Sequence, residues 1–355
     1  MLLGVCTAND ATLRAGAVEN PLEAEYLART VEALAAKHAD IECRVFSGVA
    51  PGGPAGDGVT PVSPRVVFPF SRSYRPGLRR AASAARVDVL VAHPSVLSAG
   101  KADHDRVAFI FDLLPWRKRT GPSGVVEYAL PRHVAKVCRD AQGIVCPSRE
   151  AQRICAGLLG VGLERITVAP PGVHPLFSEP MPPLVAPPYC VTALTPYTAP
   201  LLPAVLETAK KRPELFPPTL VVTGPPMPDE PKDWGMPVIR VESCPPRARA
   251  ALLQHAAFFL YPALHDLSGM PVLEALRAGT PVVTSRAGAL PEVSGSVPFF
   301  CDPESSASLV QTLRRLAEET PRERRERVAT GRVVAQDHEW GRCAWKLLSA
   351  AKRAG

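Results

Sequence analysis

The segment 265–284 places a glycine, a proline and a carboxylate at the predicted start of a helix. Gly269 leaves backbone amides accessible, and Pro271 has the fixed φ and the missing donor that suit a first helical turn. Such amides, at the positive end of the helix dipole, favour an anion. Glu274 lies one turn further, where its carboxylate can accept hydrogen bonds from hydroxyl groups but would repel a phosphate. The pattern therefore favours a ligand with a phosphate at one end and a ribose at the other, a nucleoside diphosphate.

The same residues also have a purely structural interpretation. Gly-x-Pro begins many helices for geometric reasons alone. Glu274 can pair with Arg277 at i+3 on the helix surface, and Asp266 can be the first residue of an Asx turn. Local chemistry alone slightly favours this structural interpretation, so the wider sequence has to decide.

Two series of alternating strand and helix patterns position this segment. The first series has predicted strands at 2–7, 41–49, 66–70, 87–92, 107–111, 143–146 and 166–169, with helices at 21–38, 75–86, 124–140 and 149–159. The second has strands at 189–194, 219–223, 238–241, 257–261, 281–284 and 297–301, with helices at 201–211, 245–256, 271–278 and 305–319. Such alternation predicts α/β domains with parallel sheets and helices on both faces. Ligands bind beyond the carboxyl ends of such strands, and the segment 266–274 follows one of them.

The proline-rich stretch near residue 180 is the best candidate for a linker, because five prolines within 178–188 prevent regular structure. We therefore predict a first domain over 1–178, a linker over 179–188 and a second domain over 189–335. Residues 336–355 form a final helix that we expect to pack back on the first domain. A length of 355 residues fits two such domains.

Composition limits the classes of function. The formal net charge of +7 is compatible with anionic partners. The nine cysteines form no C-x-x-C pair, so they are interpreted as buried thiols of a cytoplasmic protein. No uninterrupted apolar run is long enough to span a membrane, and the first residues lack the basic flank of a signal peptide. The basic tail 322–355 is interpreted as a solvated helix face, with attraction to an anionic membrane at the inner face as the alternative.

Six motifs, in order, resemble those of the retaining glycosyltransferases of family 4. They are 141–148 (AQGIVCPS), 163–173 (LERITVAPPGV), the spacing Asp266-x7-Glu274, 278–283 (AGTPVV), 288–293 (GALPEV) and 302–303 (DP). The resemblance covers about two thirds of the chain. It implies the GT-B fold, in which two Rossmann-like doubly wound domains face each other across a cleft.

The resemblance also implies an activity and a set of site residues. A hexose would move, with retention of configuration, from a UDP- or GDP-linked donor to a hydroxyl acceptor that is a glycan, a lipid-linked molecule or a small molecule. No metal or other cofactor would be required. Asp266 and Asp112 would be catalytic, with Asp266 facing the reacting sugar, and Glu274 would bind the ribose. The remaining donor-binding positions would be Ser268, Gly269, Met270, Pro271, Ser148 and Gly224.

The chain departs from the family at positions that matter for chemistry. Phe111 occupies the place of the usual histidine, and Ala193 and Thr198 replace an arginine and a lysine that neutralise the diphosphate. The glycine-rich loop after the first strand is reduced to 16–17 (GA). Fixed cations aimed at a leaving group are often the largest contribution to catalysis. His93, His174 and His265 could partly substitute for them, although a lone histidine is more often structural.

The sequence bears on three other classes of function. The missing cations favour a degenerate GT-B protein that binds nucleotide as a scaffold subunit, whereas the Gly269–Glu274 helix start favours an enzyme. A nicotinamide-dependent oxidoreductase is disfavoured because no G-x-G-x-x-G follows a strand. A nucleic-acid binder is disfavoured because the basic residues are dispersed and are not interleaved with aromatic ones. The sequence therefore predicts a hexosyltransferase.

Overall fold

The chain divides into two compact units in the computed structural model, which describes residues 1–6, 21–38, 40–46, 74–95, 97–113, 117–120, 125–128, 130–227 and 234–354. The first unit contains residues 1–171 and 340–355, and the second contains 172–339. The proline-rich residues 179–188 belong to the second unit. The predicted strand 66–70, the loop 50–64 and the pair 16–17 lie outside the described residues.

A parallel six-stranded sheet is the centre of the first unit, in the order β2-β1-β3-β4-β7-β8. Its strands are mostly buried apolar runs, as expected when helices cover both faces. Two further strands, β5 and β6, pair with each other in antiparallel register. The strand bounds are β1 Leu2–Cys6, β2 Glu42–Phe46, β3 Val89–Ala92, β4 Asp105–Phe109, β5 Arg117–Thr120, β6 Val125–Tyr128, β7 Gly143–Cys146 and β8 Ile166–Val168.

Five helices of the described residues belong to this unit: α1 Pro21–Lys37, α2 Tyr74–Ala84, α3 Arg132–Asp140, α4 Arg149–Leu159 and α11 Trp340–Ala354. Helix α4 shows how local sequence sets its limits. Ser148 is the N-cap, and its side chain accepts a hydrogen bond from the Ala151 amide. Gly160 ends the helix in the left-handed region at φ 64°, which glycine adopts without a steric cost.

The prediction of one helix over 124–140 is wrong at its first half. Residues 125–128 form strand β6, and α3 begins only at Arg132. Pro131 is the residue before the helix, and its extended ψ of 141° ends any helical path from the preceding residues. The sequence VVEY of β6 is rich in β-branched and aromatic residues, which suit a strand.

The second unit contains another parallel six-stranded sheet, in the order β11-β10-β9-β12-β13-β14. Strand β9 pairs with both β10 and β12, so the direction of strand progression reverses between β9 and β12. In doubly wound sheets, this reversal leaves a crevice at the carboxyl ends of the two strands, and ligands bind there. The strand bounds are β9 Tyr189–Ala193, β10 Thr219–Thr223, β11 Val238–Val241, β12 Phe259–Tyr261, β13 Val282–Ser285 and β14 Phe299–Cys301.

Six helices of the described residues belong to the second unit: α5 Leu202–Lys211, α6 Pro246–Gln254, α7 Met270–Ala278, α8 Leu290–Ser294, α9 Ser306–Ala317 and α10 Pro321–Gln336. Helix α7 is buried at every residue except Arg277. Helix α10 begins at a capping box in which Thr320 and Glu323 satisfy each other's backbone amides.

The final helix α11 packs within the first unit although it follows α10 in sequence. The Cys343 thiol donates to the hydroxyl oxygen of Tyr26 on α1, at 2.9 Å. That hydroxyl in turn donates to the carbonyl of Ala169, at 2.5 Å. Within the described parts of the chain, no helix has the length and apolar character needed to cross a membrane.

Candidate active site

The predicted donor-binding segment lies at the crevice of the second unit. It follows β12, while the loop 194–198 follows the neighbouring strand β9. The two loops are joined because the Leu264 amide donates to the carbonyl of Tyr197, at 3.1 Å. The buried His265 ring packs edge-on against the Tyr197 ring, with centroids 6.0 Å apart. The fold therefore brings the segment 265–274 to the edge where doubly wound sheets bind ligands.

The Asp266 carboxylate is committed to the loop that contains it. Oδ1 accepts from the amides of Ser268 (2.7 Å) and Gly269 (2.8 Å) and from the Ser268 hydroxyl (3.0 Å). Oδ2 accepts from the Tyr261 hydroxyl at 3.0 Å. The side chain is 1% exposed. Burial raises the pKa of this carboxyl above its usual range, and the four hydrogen bonds offset part of that rise. Asp266 therefore makes the Asx turn that the structural interpretation predicted.

Helix α7 begins at Met270, as the glycine and proline indicated. Gly269 is its N-cap at φ 66°, and a Cβ there would lie 2.3 Å from the Cγ2 atom of Val293. The Gly269 amide, which we expected to bind a phosphate, donates to Asp266 instead. The Met270 amide donates to the Ser268 hydroxyl at 3.4 Å, a long contact that is weak by geometry.

Glu274 is not paired with Arg277. Arg249 on α6 donates from Nε to Oε2 at 2.9 Å and from a terminal nitrogen to Oε1 at 2.6 Å. This fork is the bidentate geometry that makes arginine–carboxylate pairs strong and directional. Arg277 makes no ion pair with the described residues, and its buried Nε has no hydrogen-bond partner. The prediction that Glu274 pairs with Arg277 at i+3 is therefore wrong. The partner of Glu274 is Arg249, which lies on α6.

Ala193 and Thr198, the positions where the resemblance led us to expect cations, both take part in the turn after β9. The Thr198 hydroxyl donates to the carbonyl of Ala193 at 2.7 Å and accepts from the Thr195 amide at 3.0 Å, which closes the turn after β9. Gly224, at φ 114°, packs against the carbonyl of Leu194, where a Cβ would lie 2.5 Å from the oxygen. Arg240 donates to the carbonyls of Val222 and Gly224, at 3.1 Å each, and so lies at the same sheet edge.

The remaining predicted residues lie in the first unit. Ser148 is fully buried as the cap of α4, so its hydroxyl has a structural partner. Asp112 is buried in the loop that follows β4. Phe111, where the resemblance led us to expect a histidine, is buried and packs edge-on against Tyr26, with centroids 5.5 Å apart. The surroundings of this ring are apolar and suit phenylalanine.

His93 and His174, two of the three histidines that could replace the cations, have different surroundings. Burial lowers the pKa of His93 to about 3, so this ring is neutral at physiological pH. The Nδ1 atom of His174 accepts from the Leu176 amide at 3.1 Å and caps a short helix. Among the described residues, no group of three histidine, cysteine or acidic side chains has the arrangement of a metal site.

Both units match family models of sugar-transferring enzymes. Residues 24–175 match the model described as Glycosyltransferase Family 4, and residues 199–319 match the one described as Glycosyl transferases group 1. The two matched segments contain Glu274, Asp266 and both positions at which the first unit was expected to contribute, Asp112 and Ser148.

Two curated relatives match a shorter part of the chain. The O-antigen chain mannosyltransferase B of Escherichia coli is 35% identical over 100 residues, which are 27% of this chain and 25% of the relative. The MMP alpha-(1→4)-mannosyltransferase of Mycolicibacterium hassiacum is 41% identical over 109 residues, 30% of this chain and 26% of the relative. The matches thus span about a quarter of the length of each relative.

Solved structures match over almost the whole chain. The sucrose-phosphate synthase of Thermosynechococcus elongatus has a TM-score of 0.74 at 14% identity, covering 99% of this chain and 98% of that one. Anabaena Alr3699/HepE in complex with UDP and glucose has a TM-score of 0.69 at 14% identity, covering 99% of both chains. At these identities the likeness shows the fold, which is GT-B, as the sequence predicted.

Proposed function

From a GT-B chain whose two units match glycosyltransferase family models, we propose an enzyme that transfers a sugar from a nucleotide-activated donor to a hydroxyl acceptor. The observation that carries this proposal is the start of α7 with Glu274 one turn into the helix, placed at the crevice of the second sheet. A helix N-terminus suits a diphosphate, and a buried carboxylate suits a ribose.

We propose a retaining transfer of a hexose, and mannose is the first hexose to test. Retention follows from the family resemblance of the spacing Asp266-x7-Glu274 and its neighbouring motifs. Mannose is supported by the names of the two curated relatives, both of which are mannosyltransferases. Both UDP- and GDP-linked sugars remain candidate donors. The proposed mechanism uses no metal ion.

The proposed roles follow the geometry of each residue. Glu274 binds the ribose, and the start of α7 with Ser268, Met270 and Pro271 faces the diphosphate, while Gly224 borders the same sheet edge. We propose that Asp266 acts by holding the loop 266–269 in place, since its carboxylate is buried and fully committed to that loop. Asp112 and Ser148 stay predictions for the first unit's part of the site.

The partners are proposed from the same resemblance. The acceptor is a hydroxyl of a glycan, a lipid-linked molecule or a small molecule, and no nucleic acid is involved. We propose a cytoplasmic enzyme, with an anionic membrane at the inner face as a further site of action for the basic C-terminal helices. All four charged residues of α11 are basic, which is compatible with such a surface.

Calorimetry with UDP, GDP and ADP, followed by a donor-hydrolysis assay, tests the proposal. An enzyme binds at least one nucleoside diphosphate and hydrolyses or transfers the matching sugar. The alternative, a nucleotide-binding subunit that has lost its cations at Ala193 and Thr198, would bind without turnover. Failure to bind any of the three nucleotides would refute the proposed function itself.

A further inference from the structure

We propose that Arg249 is a positioning residue of the donor site, which fixes the Glu274 carboxylate for the ribose and neutralises it so that a diphosphate can bind beside it. This inference rests on the proposed function, because it assigns a role within the same site. Arg249 belongs to none of the sequence motifs, and it lies 25 residues before Glu274 on another helix.

The fork fixes Glu274 in orientation. The two hydrogen bonds, at 2.9 and 2.6 Å, hold both carboxylate oxygens against one guanidinium. The Glu274 side chain is 8% exposed and that of Arg249 is 20% exposed, so water screens the pair weakly. A carboxylate has about four acceptor positions, and Arg249 takes two of them. The pair thus defines the direction from which a hydroxyl group can approach Glu274.

Arg249 is itself held from two further sides. Its other terminal nitrogen donates to the carbonyl of Cys244, just before α6, at 3.1 Å. Its guanidinium carbon lies 5.9 Å from the centre of the Phe177 ring, within the range of a cation–π contact. Three fixed contacts on one guanidinium are typical of a preorganised group rather than of a mobile surface arginine.

Charge balance gives the pair its second role. Glu274 lies one turn from the helix start that we assign to the diphosphate, and an unpaired buried carboxylate there would repel it. The arginine and lysine typical of the family are replaced by Ala193 and Thr198. The helix terminus supplies only about half a positive charge. With Arg249 in the fork, the pair is neutral overall, and the helix terminus can attract the anion.

The experiment measures the binding of UDP, GDP and the matching nucleosides to five proteins by calorimetry. These are the parent, Arg249→Met, Glu274→Gln, the double variant, and Arg247→Met as a control that removes an exposed arginine from the same turn of α6. We expect Arg249→Met to weaken the binding of the diphosphate at least about tenfold. It should weaken that of the nucleoside by a smaller factor, because the nucleoside keeps the ribose but has no phosphate. The double variant should bind like Glu274→Gln alone, because no bare carboxylate remains. Arg247→Met should bind like the parent.

Two outcomes overturn the inference while leaving the proposed function intact. One is a parent that binds nucleotide and an Arg249→Met variant that binds equally well. The other is a double variant in which the two losses of affinity simply multiply, which would mean that Arg249 acts without Glu274.

If Arg249→Met does not fold, as thermal unfolding will show, Arg249→Lys and the double variant are used to test the inference. Lysine retains the charge without the fork, so Arg249→Lys should bind the nucleoside diphosphate more weakly than the parent does. Parent-like affinity would refute the positioning role. A parent without any nucleotide binding refutes the proposed function.

Discussion

Gly288 lies against the backbone of Asp266, so closely that a Cβ atom on Gly288 would stand 2.1 Å from the Asp266 carbonyl oxygen. The neighbouring Ala289 amide donates to the same oxygen at 2.7 Å. The loop after β13 is thereby joined to the loop after β12. Two motifs that are separate in sequence form one structural unit at the carboxyl edge of the second sheet.

Replacing Gly288 by alanine should destabilise the second unit by more than about 2 kcal/mol. The residue has φ 58°, which costs a non-glycine residue about 1–2 kcal/mol, and the Cβ must also displace a backbone carbonyl. Gly279→Ala is the matched control, because φ is 85° there but the nearest atom is the mobile end of Arg332. Urea unfolding of both variants measures the difference. Equal losses would show that the contact with Asp266 adds nothing.

Asp266→Asn should fold and keep donor turnover within about threefold of the parent, whereas Asp266→Ala should lose both the loop and the activity. An asparagine oxygen can accept from the Ser268 and Gly269 amides as the carboxylate does. Because burial raises the pKa of Asp266, its ionised form is disfavoured in the folded state, and stability falls as pH rises through that pKa. Asparagine removes this dependence. A loss of turnover of about 100-fold or more in a folded Asp266→Asn protein would show that the charge acts on the sugar directly.

The spacing of apolar residues and the positions of capping residues predicted most of the fold, because both depend on interactions between residues that are close in sequence. The strands β7 and β10 and the helix α4 have the predicted bounds, since apolar runs, a serine cap and a glycine stop are all local signals. The antiparallel pair β5–β6 was missed because VVEY (125–128) was included in the helix predicted over 124–140. Pro131 separates this strand from α3.

The start of α7 was predicted within one residue, but the contacts of the side chains around it were not. The partner of Glu274 lies on α6, and no spacing rule connects residues 249 and 274. The Asx turn of Asp266 is a local feature, but its hydrogen bond from the Tyr261 hydroxyl and its burial are not, and local spacing reports neither of them.

A cation should be tolerated at position 193 but not at position 198. Ala193→Arg should raise the affinity for nucleoside diphosphates, because Ala193 is partly exposed at the end of β9. Thr198→Lys should instead destabilise the protein by about 1–3 kcal/mol, since it leaves buried partners of a 4% exposed hydroxyl unsatisfied. Thr198→Ser, which keeps the hydroxyl, is the control. Thermal unfolding and calorimetry separate the two effects, and a stable Thr198→Lys protein would contradict this assignment.

Acid should destabilise the first unit through His93. Its pKa is lowered to about 3 in the folded protein, so stability is fully present above about pH 6.5 and is lost as the pH falls toward 3. At pH 4.5 this single group can cost up to about 2–3 kcal/mol. Urea unfolding at pH 7.5 and 4.5 should show a smaller pH dependence for His93→Asn than for the parent. An unchanged dependence in His93→Asn would contradict the prediction.

The release of nucleoside diphosphate from GDP-mannose and UDP-glucose, by the parent and by Glu274→Ala, tests the central claim most directly. We predict that the parent releases nucleotide from at least one donor and binds that nucleotide more tightly than Glu274→Ala by about 1–3 kcal/mol, the scale of a hydrogen bond to a charged group. Equal binding by the two proteins would contradict the ribose role of Glu274. Binding without any turnover would contradict the transferase and leave a nucleotide-binding GT-B protein.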